Sequence, residues 1–558
     1  MSPRITVAIV YFLLFSTYLA PGALPQVSSS TSNPITREAV AGAEKVIGLG
    51  FTEVERDSML EGLKEQLGNY QGIRAVTIPN AVPPAVMFNP IPVGMKFEKS
   101  RTPFMATPPG KIVLPADKED LAFYSVGQLG FLLKTRQISS VELTRMYLDR
   151  LKRYGPKLEC VITLTEDIAM HQARRADKEI ADGKYRGPLH GIPYGAKDLL
   201  STKGVRTTWG SVPYKEQLID EDATVIRRLE EAGAVLVAKL TMGELAWGDV
   251  WFGGKTRNPW NYEQGSSGSS AGSAVATAAG LVGFAIGTET WGSIVSPSTR
   301  CGTTGLRPTY GRVSRTGAMA LSWTMDKIGP ICRTVEDCAL VFDVIQGPDG
   351  KDQTLYDVSF NYDHNVALGR LRIGYLKSDF DSVEGDHSLN DATLATLRSL
   401  GATLIPIALP KYPMNDISII LSAEAGAAFD ELTRSGQDDL LVRQIKNAWP
   451  NVFRLSRFIP AVEYIQANRV RYLVIQEMAR LMDTIDVYVA PSFQGDNLLL
   501  TNLTGHPCVV LPNGFSKEGT PASITFIGSL FDEGKLLAVA KKYQDATDFH
   551  LRHPVLKE

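Results

Sequence analysis

Three short segments carry side chains suited to acyl-transfer chemistry. The first, Gln264-Gly265-Ser266-Ser267-Gly268-Ser269-Ser270-Ala271-Gly272-Ser273, leads into a stretch of small apolar residues from Ala274 to Gly287. The second, just beyond that stretch, is the turn Glu289-Thr290-Trp291-Gly292-Ser293-Ile294. The third, Gly191-Ile192-Pro193-Tyr194-Gly195-Ala196-Lys197-Asp198, sets a lysine and a carboxylate in an apolar, glycine-rich setting. On composition alone the first segment reads as a flexible linker. Linkers run through polar surroundings, however, whereas this one is followed by what reads as a buried small-residue helix and by a second hydroxyl-bearing turn. Two such turns flanking one helix bring nucleophilic oxygens and backbone amides to one place. Gly268-Ser269-Ser270-Ala271-Gly272 also fits the G-x-S-x-G elbow of an esterase, with Ser270 as the nucleophile. The elbow needs a strand before it; Tyr262 to Ser267 reads as no strand, and the lysine segment would then be unexplained.

The run from Gly268 to Ser273, continued through Gly292-Ser293-Ile294, resembles the defining stretch of the amidase signature family. The resemblance extends from Ser125 through Gly191 to Asp198, through Thr303 to Arg312, and to Thr504-Gly505-His506-Pro507. It implies that Lys197 is the catalytic lysine, Ser269 a bridging serine in a cis peptide, and Ser293 the nucleophile. Gly268, Ser270 and Asp198 take supporting places. It also implies hydrolysis of a linear carboxamide through an acyl-enzyme, a small-molecule amide as substrate, and neither metal nor other cofactor. A homodimer is one option. Three positions depart from the family pattern: Trp291 where a glycine is usual, Glu289 where Asp is usual, and Val295 where Arg is usual. The usual acid and base pair is therefore expected to be missing. The departures resemble a branch of peptide-amide hydrolases more than the A subunits of tRNA-dependent amidotransferases, whose partner-dependent release of ammonia from glutamine is the alternative from another class. Trp291 is read equally as a packing residue and as a wall of the acyl pocket.

The residue types make chemical sense on their own. A serine hydroxyl is a weak nucleophile and needs a base to take its proton. A lysine serves only when neutral, so its pKa must fall from ~10.4 toward neutrality, about 4 kcal/mol, which burial can supply. Asp198 opposes that shift if its carboxylate points inward, although a structural acceptor role is the stronger expectation. The oxyanion of the tetrahedral intermediate needs preorganised donors, and the backbone amides of Thr290, Trp291, Gly292 and Ser293 lie in the turn that presents the nucleophile. His506 reads as a turn-stabilising residue and Cys301 as a small core residue.

These segments must be held by a large α/β body. Ser139 and Glu142 form a capping box ahead of Leu143, Met146, Tyr147 and Leu151, which predicts a helix over 141–154. A helix at 223–232 stopped by Gly233 precedes a strand at 235–238; a strand at 371–375, a helix at 389–400 and a strand at 403–407 repeat the pattern, and 487–490 reads as another buried strand. Such alternation implies a central mixed twisted sheet covered by helices on both faces, here within a single large domain at 119–558. Ahead of it, residues 24–118 read as an extension: a helix capped by Thr52 and Glu55 and running to Asn69, then a proline-rich strap from Pro79 to Pro115.

Composition narrows the partners. The chain has 558 residues, 44% apolar and 21% charged, with 58 basic and 60 acidic residues for a net charge of −2. No overall field favours nucleic acid or an anionic membrane. Arg4, the apolar run from Ile5 to Phe15 and the small or helix-breaking residues Ala20 to Ala23 read as a secretory signal over 1–23, which predicts export; an uncleaved anchor is the variant of that reading. Five scattered cysteines (Cys160, Cys301, Cys332, Cys338, Cys508) offer neither a disulfide framework nor a zinc spacing. The sequon at Asn502 lies among apolar residues and is expected to be buried.

Overall fold

The computed structural model describes residues 35–108, 110–382 and 387–557; the signal reading at 1–23 lies outside them. Eleven strands form one mixed sheet. Numbered in chain order they are β1 (Val161–Leu164), β2 (Pro193–Lys197), β3 (Val235–Leu240), β4 (Phe284–Glu289), β5 (Thr304–Arg307), β6 (Lys327–Cys332), β7 (Ile373–Leu376), β8 (Leu404–Ile407), β9 (Val487–Pro491), β10 (Cys508–Phe515) and β11 (Pro521–Gly528). Their spatial order is β1-β3-β2-β4-β6-β5-β10-β11-β9-β7-β8. The β2 strand runs parallel to β3 and β4, and β7 parallel to β8 and β9; the remaining pairs are antiparallel.

The centre of the sheet is buried on both faces, and its side chains divide by the two-residue period of a strand. Along β3, Val235 and Val237 join one apolar cluster with Leu148, Leu151 and Ala274. Leu236, between them, joins the opposite cluster with Phe284, Ile286 and Ile328. Strands buried in this way lose the polar alternation of an exposed sheet and read as continuous apolar runs.

The expected capping boxes form. Ser139 accepts from the Glu142 amide at 3.1 Å while the Glu142 carboxylate accepts from the Ser139 amide at 3.0 Å, and the helix they open spans Ser140–Leu158. Thr52 and Glu55 open Glu53–Arg74, longer than the expected stop at Asn69, and a further helix, Arg37–Ile47, precedes it. The strap from Pro79 to Pro115 contributes no strand to the sheet among its described residues.

Two local expectations are corrected. The small-residue stretch after the serine loop is not one helix: Ala271–Ala278 is helical, Gly280 at φ +62° turns the chain, and the remainder becomes β4. Small apolar residues suit either element, and the glycine decides where one gives way to the other. Residues 262–267, read as no strand, fall partly within the strand Asn261–Gly265, which pairs with Arg257–Asn258 in a separate two-stranded ladder. The Asn258 side chain accepts from the Trp260 amide at 3.0 Å and so folds the chain back, a turn an Asx residue stabilises whatever the β propensity around it. No helix among the described residues is long and apolar enough to cross a membrane.

Candidate active site

Lys197 ends β2 and is fully buried. Its Nζ lies 2.8 Å from Ser269 Oγ, 3.2 Å from Ser270 Oγ and 2.8 Å from Thr288 Oγ1. Burial drives its pKa down to about 7, against the weaker pull of the Asp326 and Glu289 charges. The neutral amine is therefore well populated near neutral pH, as a base requires.

The serine loop reaches the lysine through backbone geometry. The Gly268–Ser269 peptide is cis. Gly268 cannot be replaced without moving backbone, because a Cβ there would meet the Gly248 carbonyl at 1.9 Å. Ser270 ties the loop to the sheet: its hydroxyl donates to the Thr288 carbonyl and accepts from the Thr288 amide, each at 3.0 Å. Its own amide donates to the Ser293 carbonyl at 3.2 Å and so joins the two serine-bearing turns. Side-chain hydrogen bonds thus run from Lys197 to Ser269 and Ser270, while Ser293 is joined to that loop through its backbone.

Ser293 follows Gly292, whose φ of +85° makes the sharp turn, and leads into the short helix Val295–Cys301. Behind this turn stands Glu289, at the end of β4. One of its oxygens accepts from the amides of Ile294 and Val295 at 2.8 and 2.9 Å; the other pairs with Arg307 at 2.7 Å and accepts from Asn502 at 2.8 Å. Burial alone would raise the Glu289 pKa, but Arg307 and these donors outweigh it and hold the carboxyl down to about 2. The acid and base pair expected to be missing is therefore present, with Arg307 of β5 supplying the cation that position 295 lacks. In front of the turn, the Thr290 hydroxyl donates to Asp326 at 2.5 Å.

Asp198 is not among the partners of the Lys197 amine. It pairs with Lys239 at 2.9 Å, both side chains fully buried, and its other oxygen accepts from the Thr208 amide and hydroxyl. His506 is buried, bonded through Nδ1 to the Thr504 hydroxyl at 2.8 Å, and pushed down to about 3 by burial and by Arg307. Asn502 of the sequon is fully buried, as are the five cysteines, all of which are free. Trp291 is 41% exposed beside the turn, so it is not a core residue. Among the described residues no group of three or more His, Cys, Asp or Glu is disposed to hold a metal ion.

A cavity of about 620 Å³ opens onto Thr288 and Thr290, next to the lysine and the Ser293 turn. Met319, Leu321, Ile328 and Tyr310 line it together with Ala81 and Pro83 to Phe88 of the strap, and Arg315, Asp326 and Lys327 give part of the lining a charged character. Its size suits a small organic molecule. Sequence reasoning did not single out Thr288, Asp326 or Arg307 at the site. The available signal for Arg307 was a cation inside an otherwise buried strand, which requires a partner.

A buried lysine with a lowered pKa, two serine-bearing turns and a mostly apolar cleft on a mixed sheet define a class of site suited to acyl transfer. The amidase family model matches residues 142–537. The A subunit of glutamyl-tRNA(Gln) amidotransferase from Methylococcus capsulatus is 36% identical over 482 residues, covering 77% of this chain and 98% of that protein. Its counterpart from Roseiflexus castenholzii is 37% identical over 484 residues, covering 78% and 98%. Among solved structures, the peptide amidase of Stenotrophomonas maltophilia superposes with a TM-score of 0.70 at 30% identity, covering 79% of this chain and all of that one. The chain belongs to the amidase signature family, and it is an enzyme acting on carbon–nitrogen bonds of amides other than peptide bonds.

Proposed function

We propose that the chain hydrolyses a linear carboxamide of a small molecule with Ser293 as nucleophile, Ser269 as proton relay and Lys197 as base. The Ser293 hydroxyl attacks the amide carbonyl and its proton passes through Ser269 to Lys197. Backbone amides of the 290–293 turn stabilise the oxyanion regardless of side chain, so Trp291 does not disable them. As the carbon–nitrogen bond breaks, the proton returns through Ser269 to the leaving amine; water then attacks the Ser293 ester and releases the acid. Gly268 lets the relay serine approach and Ser270 holds the loop on β4. The observation that carries this reading is the buried Lys197, near pKa 7 and 2.8 Å from Ser269. Asp198 serves by neutralising Lys239 rather than as a base. We place this activity after export, on the strength of the residues at 1–23.

A serine-directed fluorophosphonate followed by peptide mapping tests the assignment. Label on Ser293, abolished by Lys197→Ala, supports it. Label on Ser270 supports the esterase reading instead, although the Ser270 hydroxyl already bonds to both polar groups of the Thr288 backbone. The amidotransferase A subunits among the relatives favour a second reading, a partner-dependent chain that releases ammonia. Ammonia release from simple amides by the purified chain separates the two; activity confined to glutamine with added partners selects the second.

A further inference from the structure

The segment from Asn80 to Phe88 lies N-terminal to the residues that the family model matches, yet it forms one side of the cavity beside the site. It is fastened at both ends. At one end the Asn80 side chain acts like a strand neighbour of Ala320: its Oδ1 accepts from the Ala320 amide at 2.8 Å and its Nδ2 donates to the Ala320 carbonyl at 2.9 Å. Nδ2 also donates to the Ala428 carbonyl at 3.3 Å. At the other end the Phe88 ring meets Tyr310 edge-on at 5.1 Å and lies 3.4 Å beneath the Arg471 guanidinium. Arg471 is buried and donates to the Thr324 hydroxyl and carbonyl at 2.8 Å each, while the Tyr310 hydroxyl donates to the Trp323 carbonyl at 2.8 Å. Both anchors therefore grip the cavity wall itself, since Ala320, Tyr310, Trp323 and Thr324 all line it.

Between the anchors, Pro83 and Pro84 stiffen the chain by fixing φ and removing amide donors. Val86 and Met87, both in the cavity lining, stand 80% and 51% exposed and so present apolar surface that a bound group could cover. Leu199, Met319, Leu321 and Ile328 line the same cavity, with the charged Arg315, Asp326 and Lys327 also in its lining. A wholly polar substrate would leave the apolar part of this lining wet, whereas an aryl or branched aliphatic group would dry it.

Resting on the amide-hydrolase reading for its chemistry, we propose that the 80–88 strap is a specificity-determining wall that selects amides bearing a bulky apolar group. The group lies between Val86, Met87 and Phe88 on one side and Met319 and Ile328 on the other, with the scissile carbonyl directed toward the 290–293 turn.

The test is binding without turnover, by calorimetry on the full chain carrying Ser293→Ala, with an aryl-substituted carboxamide and a polar carboxamide of equal size. Adding Val86→Ser and Met87→Ser is expected to raise the Kd of the aryl amide about tenfold and that of the polar amide less than twofold; Phe88→Ala is expected to do the same or more. Met87→Leu restores affinity, which separates a lost wall from a damaged fold. Equal loss for both amides, or no loss for either, overturns the proposal. Because this readout needs no nucleophile, labelling of Ser293 in the unsubstituted chain reports separately on the catalytic reading.

Discussion

If Lys197 is the base, the pH profile of kcat/KM carries its titration. With a pKa of about 7, about half of the amine is neutral at pH 7, about one tenth at pH 6 and about nine tenths at pH 8. An ordinary lysine at 10.5 would be neutral in about one molecule in three thousand at pH 7. Burial therefore contributes on the order of 10³ in active fraction, equivalent to about 4 kcal/mol. The expected profile rises tenfold per pH unit below about 6 and flattens above 8. Lys197→Ala removes the acid limb and lowers kcat/KM by roughly 10² to 10⁴, the usual contribution of a positioned base. The same shift acts on stability. The folded-state value lies below the unfolded one, so between pH 7 and 10.5 the unfolded chain binds the extra proton. Stability rises with pH through that window, and the penalty of the buried charge is fully present below it. Initial rates on one amide over pH 5 to 10, with native chain and variant side by side, measure the first effect. A profile flat from pH 6 to 8, or a Lys197→Ala chain keeping more than a tenth of the native kcat/KM, would refute the reasoning.

Three further outcomes follow from the buried pairs and the nucleophile turn. Glu289→Gln leaves Arg307 buried without its counter-ion and is expected to cost about 3 to 5 kcal/mol, read as a fall in Tm. In the native chain this carboxylate's contribution is present above pH 4.5 and is lost as pH falls toward 2, because its folded value is depressed. Asp198→Asn similarly strands Lys239 and lowers Tm by a comparable amount; since Asp198 does not touch the reacting groups, the fraction that remains folded, counted by active-site titration, keeps kcat within a few-fold. Trp291→Gly is expected to leave kcat on a small amide within about threefold, since main-chain amides supply the oxyanion donors; a loss above a hundredfold would mean that the indole itself takes part.

What the sequence disclosed and what it hid divide along a physical line. Contacts local in sequence were legible. Ser139 with Glu142 and Thr52 with Glu55 specify helix starts through side chains three residues apart, and Gly233 specifies a stop because it takes positive φ, at +85°. The buried strands announced themselves as apolar runs. Ends were less sharp: the helix starting at Ser140 continues to Leu158 instead of stopping at Tyr154, because Leu158 still finds the core. Pairings between distant positions were not legible. Glu289 and Arg307 sit on β4 and β5, two strands that do not touch but flank β6, so nothing in their spacing indicates a bond. Once Val295 replaces the usual arginine, local reading registers a lost charge, whereas the fold supplies one from another strand. The Lys239 partner of Asp198 was hidden in the same way, one strand over from β2.

That substitution also bears on how the turn at 290–293 is held. The Glu289 carboxylate bonds to the amides of Ile294 and Val295, which directly follow Ser293, and it can do so in a fully buried position only because Arg307 neutralises it and Asn502 takes up a further lone pair. Arg307 in turn donates to the Thr501 hydroxyl and the His506 carbonyl, at 2.9 and 3.0 Å. The Thr504-Gly505-His506-Pro507 segment, which contains no acid to orient a catalytic histidine, thus contributes through the carbonyl of His506. It fixes a guanidinium, the guanidinium fixes a carboxylate, and the carboxylate sets the backbone on one side of Ser293, while Asp326 holds Thr290 on the other. The 290–293 turn is thus clamped from both sides, by Glu289 on the amides that follow it and by Asp326 on Thr290. Glycine can therefore give way to tryptophan at position 291, whereas neither clamp can be neutralised without leaving a buried charge or an open backbone amide behind.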